Sequence, residues 1–354
     1  MILRDLLRIL GSDRRDGRNL THAEAYRAFE LIFQGGQSEI QTGAFLIALR
    51  WKGVTVQEVA AFAQAARDHA RLPCAGMREL VCLCPPHDGF DNVPPLEVAA
   101  GLISAAAGAH VLILTDRTVP PKRGLTAASA LEGLGLSMTW DPTEAEDWVR
   151  RTRFAVASTS GLLPALMGLR RVRGEIGVRT PLATVEKLIA PPDARVIVGS
   201  QSGPVLGVAI DVLQTLGHPA AAVLQGPQGG VIPSLKRRTR GLELTGSHVV
   251  PLAIEPGDFG LACSAEPDLP MFGPPEEGYG TGDNPELVKA CGRTTQAVLA
   301  GELGPARNAA VLGAALILKV AELAPTLADG VSLASEALES GGASAVLESL
   351  RALS

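Results

Sequence analysis

The chain has 354 residues, with 32 Lys and Arg against 37 Asp and Glu and a formal net charge of −5. Its 46% hydrophobic and 19% charged residues can fill a core, which excludes a disordered chain, and the length suits about two domains. The five cysteines, Cys74, Cys82, Cys84, Cys263 and Cys291, form no CxxC pair; they read as reduced, buried thiols, not as a disulfide frame or zinc site.

The opening MILRDLLRIL sets Arg4, Asp5 and Arg8 among apolar residues. That is an amphipathic helix, since a signal peptide keeps its apolar stretch free of charge. A cytoplasmic protein is the expectation. Thr21 with Glu24 makes a capping box, and Tyr26, Phe29, Ile32 and Phe33 recur at helical spacing until Gly35-Gly36. Gln41–Lys52 is a second helix with Phe45, Leu46 and Leu49 on one stripe, and Val56–Ala70 is a third. So short a helical segment does not cover Phe29, Phe33, Phe45 and Leu49, which predicts a homodimer formed through this part.

From about residue 79 the period changes. Glu79–Leu83, His110–Leu114, Phe154–Ala157, Arg195–Val198 and Ala221–Leu224 read as strands. Ala127–Leu134, Pro204–Leu216 and Asn308–Ala324 read as helices. Val98–Thr115 runs 18 residues without a formal charge, long enough to test as a membrane span. Gly101, Gly108 and His110 interrupt it, and a buried helix over Leu96–Ala107 feeding a strand explains it better. Strands alternating with helices predict an α/β layer with a mostly parallel sheet. Glu255–Gly282, rich in Pro, Gly and acid, reads as a long loop.

Candidate chemistry is sparse. The six histidines are scattered without metal-ligand spacing. Ser158–Gly161 and Gly199–Gly203 are small-residue loops after strands, each either a phosphate cradle or an ordinary strand-to-helix turn. Charge is uneven. Residues 150–195 hold nine basic and three acidic residues, and Lys236, Arg237, Arg238 and Arg240 crowd into five positions. Glu255–Glu286 holds eight acids and no Lys or Arg. Such segregation can guide a polyanion to one face. The other reading is a solvated helix face plus a basic loop. No aromatic interleaves the clusters, so binding would be backbone-directed and nonspecific.

The run Leu20–Phe62, LTHAEAYRAFELIFQGGQSEIQTGAFLIALRWKGVTVQEVAAF, resembles the N-terminal helical domain of the anthranilate phosphoribosyltransferase family, and the order of later elements is similar over almost the whole chain. The resemblance implies a class IV phosphoribosyltransferase fold: a small helical domain, residues 1–75 joined by about 161–191, and a large α/β domain, residues 76–160 and 192–354. GVRTPLATVEKLIAP resembles the family's phrase in the returning segment.

The family's site motifs are altered. Pro85-Pro86-His87-Asp88-Gly89 stands at its glycine-rich phosphate loop, and prolines supply no N–H. Asn92-Val93-Pro94-Pro95 has lost the hydroxyls of the next motif, and the basic motif near Thr115–Val119 is not kept. Gly226–Ile232 matches the metal loop, with Val231 and Ile232 at the two carboxylate positions. Apolar side chains do not ligate magnesium. Asp88, Gly89, Asn92, Arg179 and Gly226 remain as remnants of a substrate cleft, and Arg179 matches the arginine that receives the anthranilate carboxylate.

This pattern is similar to the divergent YbiB-type, TrpD-like branch, which implies a phosphoribosyltransferase-like homodimer with a degraded phosphoribosyl pyrophosphate site. It also implies nucleic-acid binding; the basic clusters supply Arg170, Arg171 and Arg173 in one place and Lys236, Arg237, Arg238 and Arg240 in another. No cofactor or metal is expected on this reading. The alternative is an active phosphoribosyltransferase, on anthranilate or another acceptor, which would use magnesium. A small-molecule sensor that keeps the cleft is a third reading.

Overall fold

The computed structural model describes residues 2–11, 17–201, 203–270, 276 and 278–354. Four helices open the chain: α1 (Leu3–Gly11), α2 (His22–Gln34), α3 (Glu39–Lys52) and α4 (Val56–His69). Thr21–Glu24 and Thr55–Glu58 cap α2 and α4 reciprocally, satisfying N–H groups that a helix start leaves orphaned. Glu58 does more than cap. It is fully buried, accepts the Leu20 amide at 2.9 Å and pairs with Lys52 Nζ at 2.8 Å, tying the entry of α2 to α4.

The rings of Phe29 and Phe62 stack with centroids 4.1 Å apart. Leu163, Leu166, Leu169, Val172, Leu182, Val185 and Ile189 come back from a later segment to complete this helical core. That return corrects one expectation: Phe29, Phe33, Phe45 and Leu49 are all buried within the chain. Among the apolar side chains left in solvent are Ile40, Ile47 and Trp51 on α3, the last 92% exposed.

A seven-stranded sheet forms the rest, in the order β3-β2-β1-β4-β5-β6-β7. β1 (Leu80–Cys84), β2 (His110–Thr115), β3 (Phe154–Ser158), β4 (Arg195–Gly199) and β5 (Ala220–Leu224) are parallel, as their near-continuous apolar sequences require for strands covered on both faces. β6 (Thr239–Thr245) and β7 (His248–Ile254) add an antiparallel hairpin on one side. Helix α5 (Glu97–Ala106) is buried along its length and feeds β2. Among the described residues no helix is long and apolar enough to cross a membrane. Residues 255–282 hold only short 3-10 turns among those described; 271–275 and 277 lie outside.

Candidate functional site

The carboxyl ends of β1, β4 and β5 open toward the helical part, and the loops that follow them build the site. After β1 comes the loop of Pro85 to Asn92. Gly89 has φ +78°, and a Cβ there would lie 2.5 Å from the Gly124 backbone, so only glycine lets the two segments approach. The approach is fixed by Gly124 N donating to Asp88 O and by paired Phe90–Leu125 backbone bonds, each 2.8 Å.

Asp88, 3% exposed, receives Arg179 as a two-pronged pair: Nε to Oδ2 at 2.5 Å and Nη2 to Oδ1 at 2.9 Å. Arg50 donates to the Arg179 carbonyl. Asn92 meets the turn that follows Gly226: Gln228 Nε2 donates to Asn92 Oδ1 at 3.2 Å, and Gln228 Oε1 accepts from Asp91 N and Lys122 Nζ at 2.8 and 3.0 Å. Gln228 sits at φ 51°, strain of a kind that surrounding structure must hold in place. Of the cleft remnants, Asp88, Gly89 and Arg179 thus meet in one place, and Asn92 and Gly226 in the adjoining turn.

Between the two parts lies a cavity of about 410 Å³ lined by Arg50, His87, Asp88, Arg179, Lys187 and Gln201, among others. Lys187 Nζ donates to Gly199 O at 2.7 Å, and burial draws its ammonium below the usual lysine range despite the neighbouring Glu186 carboxylate. His87 is buried; Nε2 lies 2.6 Å from Thr159 Oγ1, Nδ1 has no partner, and burial holds the ring neutral. A second cavity, about 680 Å³, is lined by Gln201, Gln225, Gln228, Arg237, Arg238 and Arg240. The two share Gln201 and Gly229.

The two basic clusters part company. Lys236, Arg237, Arg238 and Arg240 are all exposed. Their loop is braced by Ser234, whose Oγ accepts the Lys236 and Arg237 amides at 3.2 Å and itself donates to Glu266. Arg238 also meets Glu255 at 3.3 Å, an exposed pair of little strength. The acidic stretch is therefore not segregated from this cluster; two of its carboxylates hold it.

Arg170 and Arg173 are not a phosphate-binding surface. Arg173 is buried, pairs with buried Glu186 and donates to Pro120 O at 2.9 Å. Arg170 donates to Arg117 O at 2.9 Å and lies 3.8 Å from buried Asp116. Desolvated guanidiniums need such partners, and theirs are internal. Arg171 is exposed but paired with Glu175 at 2.9 Å and Glu39 at 3.3 Å. The cluster clamps the loop after β2. The Ser158–Gly161 loop has a similar internal role: Ser158 and Ser160 both donate to Asp116 at 2.6 Å, and Ser158 caps the short helix Thr159–Leu162. Ser202 of the Gly199–Gly203 loop lies outside the described residues.

Val231 is buried in the main core, and Ile232 packs where Gly313 makes room beside Ala100. Neither side chain offers oxygen, so these two positions do not fit as magnesium ligands. Among the described residues no group of three or more His, Cys, Asp and Glu forms a candidate metal site.

Residues 12–70 match the family model for the glycosyl transferase family helical bundle domain, and residues 91–344 match that for the a/b domain. The chain belongs to the glycosyl transferase family. It is 31% identical over 335 residues to the anthranilate phosphoribosyltransferase of Paracidovorax citrulli, covering 94% of this chain and 92% of that one. With the Methanobrevibacter smithii enzyme of the same name it shares 30% over 334 residues, 94% and 95% of the two chains. The crystal structure of anthranilate phosphoribosyltransferase from Thermus thermophilus matches with TM-score 0.80 at 25% identity, covering 99% of this chain and 98% of that one. The Saccharomyces cerevisiae enzyme in complex with PRPP and Mg, at 16% identity and TM-score 0.78 over 98% and 96% of the chains, shares the fold. The expected family and fold are therefore those of this chain.

Arg50, His87, Lys187 and the three glutamines of the basic groove were not among the site residues expected from sequence, although His87 and Gln228 stand in the altered motifs and Gln201 in the Gly199–Gly203 loop. Lys187 lies in the resembling phrase beside Glu186, within the basic segment 150–195.

Proposed function

We propose that this glycosyl transferase family member binds nucleic acid through the groove of Arg237, Arg238 and Arg240, with exposed Lys236 on the same loop, and does not carry out magnesium-dependent phosphoribosyl transfer. The observation that carries this is the groove itself. Three guanidiniums and three glutamine amides line one open, polar cavity at the ends of β4 and β5. Phosphates are attracted there by charge, with counterion release as the driving term. The lack of aromatic residues in the groove leaves no stacking platform, so sequence preference is slight. The apolar Val231 and Ile232 at the family's metal loop and the prolines at 85 and 86 support the absence of transfer. A homodimer in the cytoplasm completes the proposal; the exposed α3 stripe supplies its interface.

The second reading is an active phosphoribosyltransferase. The full-length similarity to anthranilate phosphoribosyltransferases favours it, as does Arg179 at the cleft. Steady-state assays with phosphoribosyl pyrophosphate, anthranilate and magnesium separate the two. Our reading expects no detectable transfer; turnover of about 1 per second or faster establishes the second.

A further inference from the structure

The cavity behind Arg179 is more than a remnant. Arg50, Arg179 and Lys187 line it against one carboxylate, Asp88, leaving two positive charges uncompensated around a neutral His87. An aromatic carboxylate brings one negative charge and an internal phosphodiester one, whereas a phosphate monoester brings nearly two at neutral pH. Lys187 has three N–H donors, and the Gly199 carbonyl takes one. His87 contributes in the same sense. His87 Nε2 and Thr159 Oγ1 share one hydrogen bond, which leaves Nδ1 as the ring atom without a protein partner in a residue lining the cavity. Buried polar groups are ordinarily paired, and in the tautomer protonated at Nδ1 this atom donates to a ligand. The cavity also adjoins the basic groove, with which it shares Gln201 and Gly229 in its lining.

We propose that the cleft is a metal-independent site for the terminal phosphate monoester of a nucleic-acid strand whose backbone lies in the groove, held by Arg50, Lys187 and His87. The proposal rests on the groove reading above. It gives the cleft a ligand that needs neither the magnesium carboxylates nor the glycine-rich loop.

The test compares three single-stranded DNAs of one sequence, carrying a 5′-phosphate, a 3′-phosphate or hydroxyls at both ends, by fluorescence anisotropy in a chelator. One phosphorylated strand binds about tenfold tighter than the hydroxyl strand. Arg50→Ala and Lys187→Met each reduce that preference to about twofold or less. Arg50 is exposed, so its variant carries the test should Lys187→Met fail to fold. Adenosine 5′-monophosphate as competitor identifies the source of the phosphate: it is expected to remove the end preference while the strand stays bound. Equal affinity for all three strands overturns the end site and leaves the groove reading standing. Absence of binding by any strand overturns the groove reading itself. Tight mononucleotide binding without an end preference shows a free-nucleotide site and overturns the strand-end assignment, as does a preference that survives both variants.

Discussion

Glu97 shows how one side chain can work against the fold that holds it. It begins α5, is 1% exposed, and its Oε1 has no partner. Burial pushes its carboxyl up to about 7, from an ordinary 4.5. A folded-state value above the unfolded one means that the fold binds the proton more tightly. The associated stability is fully present below about pH 4.5 and is lost as pH rises to about 7. Glu97→Gln, which carries no charge, is expected to stabilise the protein by about 1–3 kcal/mol at pH 8 and by little at pH 4.5. Denaturant melts at the two pH values check it; equal effects at both would show that ionisation of Glu97 is not what costs stability. The residue scale is also where the sequence was least legible. Arg170, Arg171 and Arg173 look alike as letters, yet the first and third serve buried carboxylates and carbonyls while the second lies in solvent. Charge spacing does not record the difference, because the partners of Arg170 and Arg173 include a loop more than forty residues earlier in the chain.

Elements were far more legible, since each carries its own periodicity. The five parallel strands fall within a residue or so of their apolar runs, and the Thr21 cap falls where the capping box placed it. The β6–β7 hairpin escaped because its first strand starts inside a cationic run and its second contains Pro251. Proline within a run argues against a central strand, and β7 is the edge of the sheet, where it is tolerated. The helical part escaped differently. Its apolar surplus was visible, but the cover comes from Leu163–Ile189, out of reach of any local window. A stripe on α3 remains uncovered. Ile40, Ile47 and Trp51 lie seven and then four residues apart, on one helix face. We expect this face to bury itself against its own copy across a two-fold axis. Ile47→Glu with Trp51→Glu is then expected to turn a dimer into a monomer in light scattering at micromolar concentration. A parent protein that is already monomeric would remove the interface.

At the scale of the whole molecule, the family architecture persists, and the proposal gives its centre a different chemistry. The sheet order and the returning segment bring Asp88, Arg179 and Gly229 of the turn after Gly226 to one cleft. Val231 and Ile232 pack into the core, and the exposed cations stand on a braced loop beside the second cavity. On the proposed function, polyanion binding would depend on few contacts, all to phosphate, and a dimer would double them as avidity. The most direct measurement is the affinity of single-stranded DNA for the parent and for the variant with Lys236, Arg237, Arg238 and Arg240 all changed to Ala, across a salt series. The parent is expected to bind at low salt, with log affinity falling by about 0.7–0.9 per phosphate neutralised, and the fourfold variant to bind every sequence more weakly with a flatter slope. A parent that fails to bind at low salt, or a variant that binds as tightly as the parent, would contradict the account.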